Sequence, residues 1–174
     1  MNICVIGYSG KINKSPVKEL YDFTYRLGYT IAVRGHTIWS GGRDGIMDIV
    51  SKGAHEGGGE IVGVLPWDKE NSLSRPSDYI QNVVYTGLDF TMRSCVLVNN
   101  ADLVIAVGGG AGTATEIFAS YSYGKPLLLC AKSGGWSQRI AETFQGKSGP
   151  VYLDSRETAP VFLVHTIDDI ERHL

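Results

Sequence analysis

Apolar residues recur along this chain with two different periods. The short solid runs Asn2 to Ile6, Ile61 to Leu65, Leu103 to Val107 and Pro126 to Cys130 are too brief for helices and lack polar alternation, which predicts strands buried on both faces. Between the first two runs, Val17, Leu20, Tyr21, Thr24, Leu27, Ile31 and Ala32 fall on helical spacing. Ser15-Pro16 offers an N-cap and a first-turn proline, so one long helix is expected from there to about Gly35. The alternative is a break at Gly28 followed by a strand over Tyr29 to Val33.

The same reading continues along the chain. His36 to Trp39 predicts a strand, Asp44 to Glu56 a helix capped by Asp44, Asn82 to Thr86 a strand, Leu88 to Asn100 a helix and Thr113 to Tyr123 another. A shorter helix over Trp136 to Phe144, a strand around Val161 to Val164 and a closing helix behind Thr166 complete it, with Asp168 and Asp169 as first-turn charges. Pro66 to Gln81 is polar, holds two prolines and shows no period, which predicts a long surface loop and a candidate flap carrying Trp67. Strands alternating with helices predict an α/β fold: a doubly wound, mostly parallel Rossmann-like sheet with helices on both faces, in one domain over residues 1 to 174.

Composition narrows the classes of partner. A net charge of −2 provides no basic field, so neither nucleic acid nor an anionic membrane is an expected partner, and any anionic ligand must be held locally. No apolar run reaches the roughly 18 residues of a membrane span and MNICVIG has no signal-peptide pattern, so the expected compartment is the cytoplasm. Cys4, Cys95 and Cys130 sit in apolar runs without CxxC spacing, as reduced core thiols do. His36, His55, His165 and His173 are scattered without ligand spacing, so no metal site is expected.

Chemistry concentrates where glycines follow strands. Three such turns are Gly7-Tyr8-Ser9-Gly10, Ser40-Gly41-Gly42-Arg43-Asp44-Gly45 and Gly108-Gly109-Gly110-Ala111-Gly112-Thr113. In an open parallel sheet all three emerge at the carboxyl edge, where bare backbone and helix N-termini receive phosphate. The candidate phosphate ligands are therefore Gly7, Ser9, Gly10, Ser40, Gly41, Gly42, Gly108, Gly109, Gly110, Gly112 and Thr113. None of the turns is a GxGxxG dinucleotide fingerprint or ends in GK[ST], and no lysine is flanked as a pyridoxal phosphate site requires, so no cofactor is expected.

GGGAGTATE, Gly108 to Glu116, resembles the PGGxGTxxE motif of the LOG proteins, cytokinin-activating phosphoribohydrolases long labelled lysine decarboxylases. Ser40 to Pro66 resembles that family's GGGxxGLMGxxAxxAxxxGGxVxGVIP block, and Arg93 precedes Glu116 by the 23 residues that separate the family's MHxRK arginine from its motif glutamate. The similarity covers roughly residues 1 to 130. It implies a homo-oligomer that cleaves the N-glycosidic bond of a nucleoside 5′-monophosphate, with Arg93 and Glu116 as the catalytic pair. A carboxylate beside the anomeric carbon stabilises an oxocarbenium-like state, while Arg93, always charged, orients it or holds the phosphate or ribose.

The chain also departs from that pattern. Thr91-Met92-Arg93-Ser94 stands where the family has His and Lys around the arginine, Gly108 replaces the proline of PGG, and Thr115 replaces the first glutamate of GTxEE. These departures resemble short Rossmann-like nucleotide-binding proteins and molybdenum cofactor carrier proteins, which implies the alternative of a carrier or sensor of a phosphorylated ligand. Three bland readings stand beside these. Glu116 gains from the helix dipole in a first turn, Arg93 is a solvated helix residue, and Phe118, Tyr121 and Tyr123 belong either to the core or to an oligomer seam.

Overall fold

A computed structural model describes residues 1–67, 75–147 and 149–174. Seven strands, β1 (Asn2–Gly7), β2 (Thr37–Ser40), β3 (Ile61–Leu65), β4 (Asn82–Tyr85), β5 (Leu103–Val107), β6 (Leu127–Cys130) and β7 (Val161–Val164), form one sheet in the order β4-β3-β2-β1-β5-β6-β7. Every neighbouring pair is parallel. The α-helices among the described residues are α1 (Tyr21–Val33), α2 (Ile46–Glu56), α3 (Phe90–Asn99), α4 (Ala111–Ser122), α5 (Gly135–Glu142) and α6 (Ile167–Glu171).

The solid apolar runs serve two cores at once, because side chains alternate across the sheet. Ile3, Val5, Leu103, Ile105 and Leu128 meet Leu27 and Ile31 of α1, Val50 of α2 and Ile170 of α6. Cys4, Ile6, Val104, Ala106 and Leu129 meet Leu97 of α3, Ile117 and Tyr121 of α4 and Ile140 of α5. The doubly wound α/β reading is thereby borne out. Chain order reverses at β1, with β2 to β4 laid on one side and β5 to β7 on the other, so the crevice opens beyond Gly7 and Val107.

Several local expectations need correction. The first helix does not open at Ser15-Pro16: a 3-10 turn over Lys18–Leu20 comes first, Val17 is buried, and α1 starts at Tyr21 with no side-chain cap. It then runs unbroken through Gly28, with Gly35 at φ 76° closing it by donating its N–H to Ala32 O at 2.8 Å. Asp44 does not cap α2, whose N-cap is Gly45; the leading amide of the helix, Ile46 N–H, donates instead to Tyr8 O at 2.9 Å. Asp48, on α2, accepts the Ser77 hydroxyl at 2.6 Å.

The remaining sequence expectations divide. Thr166 and Asp169 form a reciprocal capping box at α6, as its acidic start suggested. Cys4 and Cys130 are buried, with burial raising both thiols and Cys130 pushed up to about 12, whereas Cys95 is only half-buried. Tyr121 belongs to the core, while Phe118 on α4 and Tyr123 at its C-cap are exposed. The flap expected over Pro66 to Gln81 lies in part outside the described residues; its far end returns to the body through Ser77 N–H, which donates to Gly42 O at 2.9 Å. No helix among the described residues is long and apolar enough to cross a membrane.

Candidate functional site

Three helix starts converge at the switch point, and two are already occupied. The α2 start gives its leading amide to Tyr8 O, and α3 is capped by Asp89, whose carboxylate accepts Thr91 N–H at 2.8 Å and Met92 N–H at 2.9 Å. The start of α4 has Gly110 as N-cap and no side-chain cap. Its first-turn amides have no partner within the helix and carry the positive end of the dipole, so the α4 start is free to accept an anion.

A cleft of about 360 Å³ lies over this start. Of the sequence-predicted residues, Gly7, Ser9, Arg93, Gly110, Gly112, Thr113 and Glu116 line it. The others stand behind or beside it. Ser40 is fully buried and its hydroxyl accepts Gly42 N–H at 3.1 Å. Gly108 and Gly109 pack against the Tyr8 ring and the Thr113 side chain, while Gly10 has open space around it. Gly41 keeps room for Arg93, because a Cβ there would lie 2.5 Å from the guanidinium Nη1.

Glu116 lies beyond the first turn, because α4 begins at Ala111 rather than Thr113; the dipole gives it little, and its placement has another cause. The side chain is buried and accepts the Ser94 hydroxyl on Oε1 at 2.8 Å. Burial pushes its carboxyl above the ordinary range, and the Ser94 hydrogen bond and the Arg93 charge pull it partly back. Arg93 is not a solvated helix residue: it is 6% exposed, and its Nε and Nη1 find no hydrogen-bond partner. Burial lowers its pKa while the Glu116 charge raises it, yet no ion pair joins them among the described residues.

Ser94 is thus the residue that fixes the carboxylate, at the position where the LOG pattern has lysine. Ser94→Ala removes a donor that holds the ionised form, so the Glu116 titration should move to higher pH, followed by carboxyl carbon NMR; an unmoved titration would deny Ser94 that part.

Reading the sequence missed Tyr8, Arg43, Met47 and Phe90 as cleft residues. Arg43 carried a signal, a cation inside a glycine turn, but nothing in the spacing shows that Phe90 brings it toward Arg93. Its guanidinium carbon lies 4.9 Å from the Phe90 ring centroid and that of Arg93 lies 5.8 Å from it. Trp67 packs edge-on against the same ring, centroids 5.1 Å apart. No group of three metal-ligating side chains occurs among the described residues.

A parallel sheet reversing at β1, with helices on both faces and a glycine-led, uncapped helix at the reversal, defines an α/β protein of Rossmann-like fold. The chain belongs to the SLOG cluster4 family, whose model matches residues 1–160. It is 35% identical over 125 residues to an uncharacterized protein of Archaeoglobus fulgidus, covering 72% of this chain and 76% of that one. It is 30% identical over 118 residues to the cytokinin riboside 5′-monophosphate phosphoribohydrolase of Mycobacterium tuberculosis, covering 64% and 62%. The chain therefore spans under two thirds of that relative's length. Among solved structures, TM1055, a structural-genomics target, superposes with a TM-score of 0.89 at 42% identity over 99% of both chains. The molybdenum cofactor binding protein of Rippkaea orientalis gives 0.76 at 26% identity over 99% and 93%.

Proposed function

We propose that this protein binds a nucleoside 5′-monophosphate in the cleft and hydrolyses its N-glycosidic bond, releasing base and ribose 5-phosphate. The observation that carries this reading is the placement of Thr113 and Glu116 on one face of α4, both buried at the cleft, the first beside the uncapped amides and the second one turn deeper. A 5′-phosphate on the Gly110, Gly112 and Thr113 backbone sets the sugar over Glu116. Its ionised carboxylate stabilises the oxocarbenium-like state and orients the attacking water. Arg93, across the cleft, favours that ionised form and offers its fork to the ligand. Similarity to LOG phosphoribohydrolases supports the reading.

A second reading has its own support. The molybdenum cofactor binding protein matches along nearly the whole of both chains, and a carrier of a phosphorylated ligand would use the same α4 start without a reaction. Incubating the protein with AMP and measuring free adenine and ribose 5-phosphate divides the two. Hydrolysis predicts both products in equal amounts; protection against thermal unfolding by AMP with neither product would favour the carrier. For the homo-oligomer implied by the LOG resemblance, Met92 of α3, Phe118 of α4 and Tyr123 just past it are exposed apolar side chains available for contact.

A further inference from the structure

Two guanidinium groups meet at one aromatic ring, that of Phe90, and among the described residues neither is ion-paired. Arg43 stands near enough to Arg93 for the like charge to disfavour it, and Glu116 offsets only one of the two charges. Arg93 is over nine-tenths buried and keeps two donors without acceptors, a costly arrangement unless an anion completes it. A planar fork with free N–H groups matches the oxygens of phosphate.

This pair sits apart from the α4 start. The Arg93 fork lies against Gly41, in the turn after β2, and Arg43 belongs to the same turn. The α4 amides follow β5, and β1 runs between β2 and β5. The arginine pair and the α4 amides therefore reach the cleft from opposite sides of β1.

We propose that Arg43 and Arg93 form a second anion subsite, and that the ligand is a nucleotide carrying a second phosphate besides the one on the α4 amides. This rests on the nucleotide reading of the cleft. The second phosphate either extends the first as a diphosphate or sits across the sugar.

Isothermal titration calorimetry tests it with AMP, ADP and adenosine 3′,5′-bisphosphate, in an E116Q background so that the ligands stay whole. One of the doubly phosphorylated ligands is expected to bind at least tenfold tighter than AMP, and which one tells the two arrangements apart. Adding R43A should reduce that advantage to under threefold, with an unchanged melting temperature showing that the fold persists. AMP binding as tightly as both, or an advantage that survives R43A, overturns the subsite while leaving the monophosphate site standing. Failure of all three to bind overturns both.

Discussion

Glu116→Gln should end base release from AMP, by at least a hundredfold in kcat, while leaving the protein more stable at neutral pH. The kinetic loss follows from removing the charge that faces the developing cation, the scale seen when one preorganised electrostatic contact is deleted. The stability gain follows from burial. Glu116 is held above the ordinary carboxylate range chiefly by desolvation, so the folded protein binds its proton more tightly than the unfolded chain does. Stability from that proton is complete below the unfolded value of about 4.3 and is lost as pH rises through the folded value. Gln carries no charge and keeps an oxygen for the Ser94 hydroxyl. The melting temperatures of the two proteins should therefore converge near about pH 4 and separate in favour of E116Q as pH rises through the raised value. A variant that loses activity and melts lower at neutral pH would show the carboxylate to be a structural charge.

The second large effect lies far from the cleft. Gly28→Ala and Gly53→Ala should each destabilise the protein by about 2–3 kcal/mol and lower the melting temperature by roughly 5–10 °C. Helix propensity alone predicts the opposite sign, a gain of up to about 1 kcal/mol for replacing glycine within a helix. Here packing outweighs propensity. A Cβ on Gly28 of α1 would overlap the Val50 carbonyl of α2, and one on Gly53 of α2 would overlap the Tyr25 carbonyl of α1. The two helices touch backbone to backbone through these reciprocal glycines, in one of the broadest helix contacts of the fold. Thermal unfolding of the two variants decides the sign, and a raised melting temperature would show that the helices separate without cost.

Those glycines mark the limit of what the amino-acid order reveals. Gly28 reads as an ordinary helix breaker, and only the partner helix explains why it stands there. The strands were legible because runs such as Leu103 to Val107 feed both cores, a demand that writes itself as unbroken hydrophobicity. Boundaries were less legible. The α4 start at Ala111 placed Glu116 outside the first turn, and the Tyr8 carbonyl took the role assigned to Asp44.

The cleft divides the same way. Gly110, Gly112, Thr113 and Glu116 fall within one seven-residue stretch, so one motif names them. Ser94 reads only as a departure from the LOG pattern, yet it holds the carboxylate. Arg43 and Phe90 lie 47 residues apart and meet only after α2, β3 and β4 have folded, so no local spacing could pair them.

Everything proposed for the cleft depends on the α4 start receiving a phosphate with Glu116 facing what that phosphate carries. A crystal structure of the E116Q variant soaked with AMP tests this most directly. The account predicts phosphate oxygens within hydrogen-bonding distance of the Ala111, Gly112 and Thr113 amides, and the ribose ring over residue 116. A phosphate bound away from those amides, or a sugar turned out toward solvent, would contradict it.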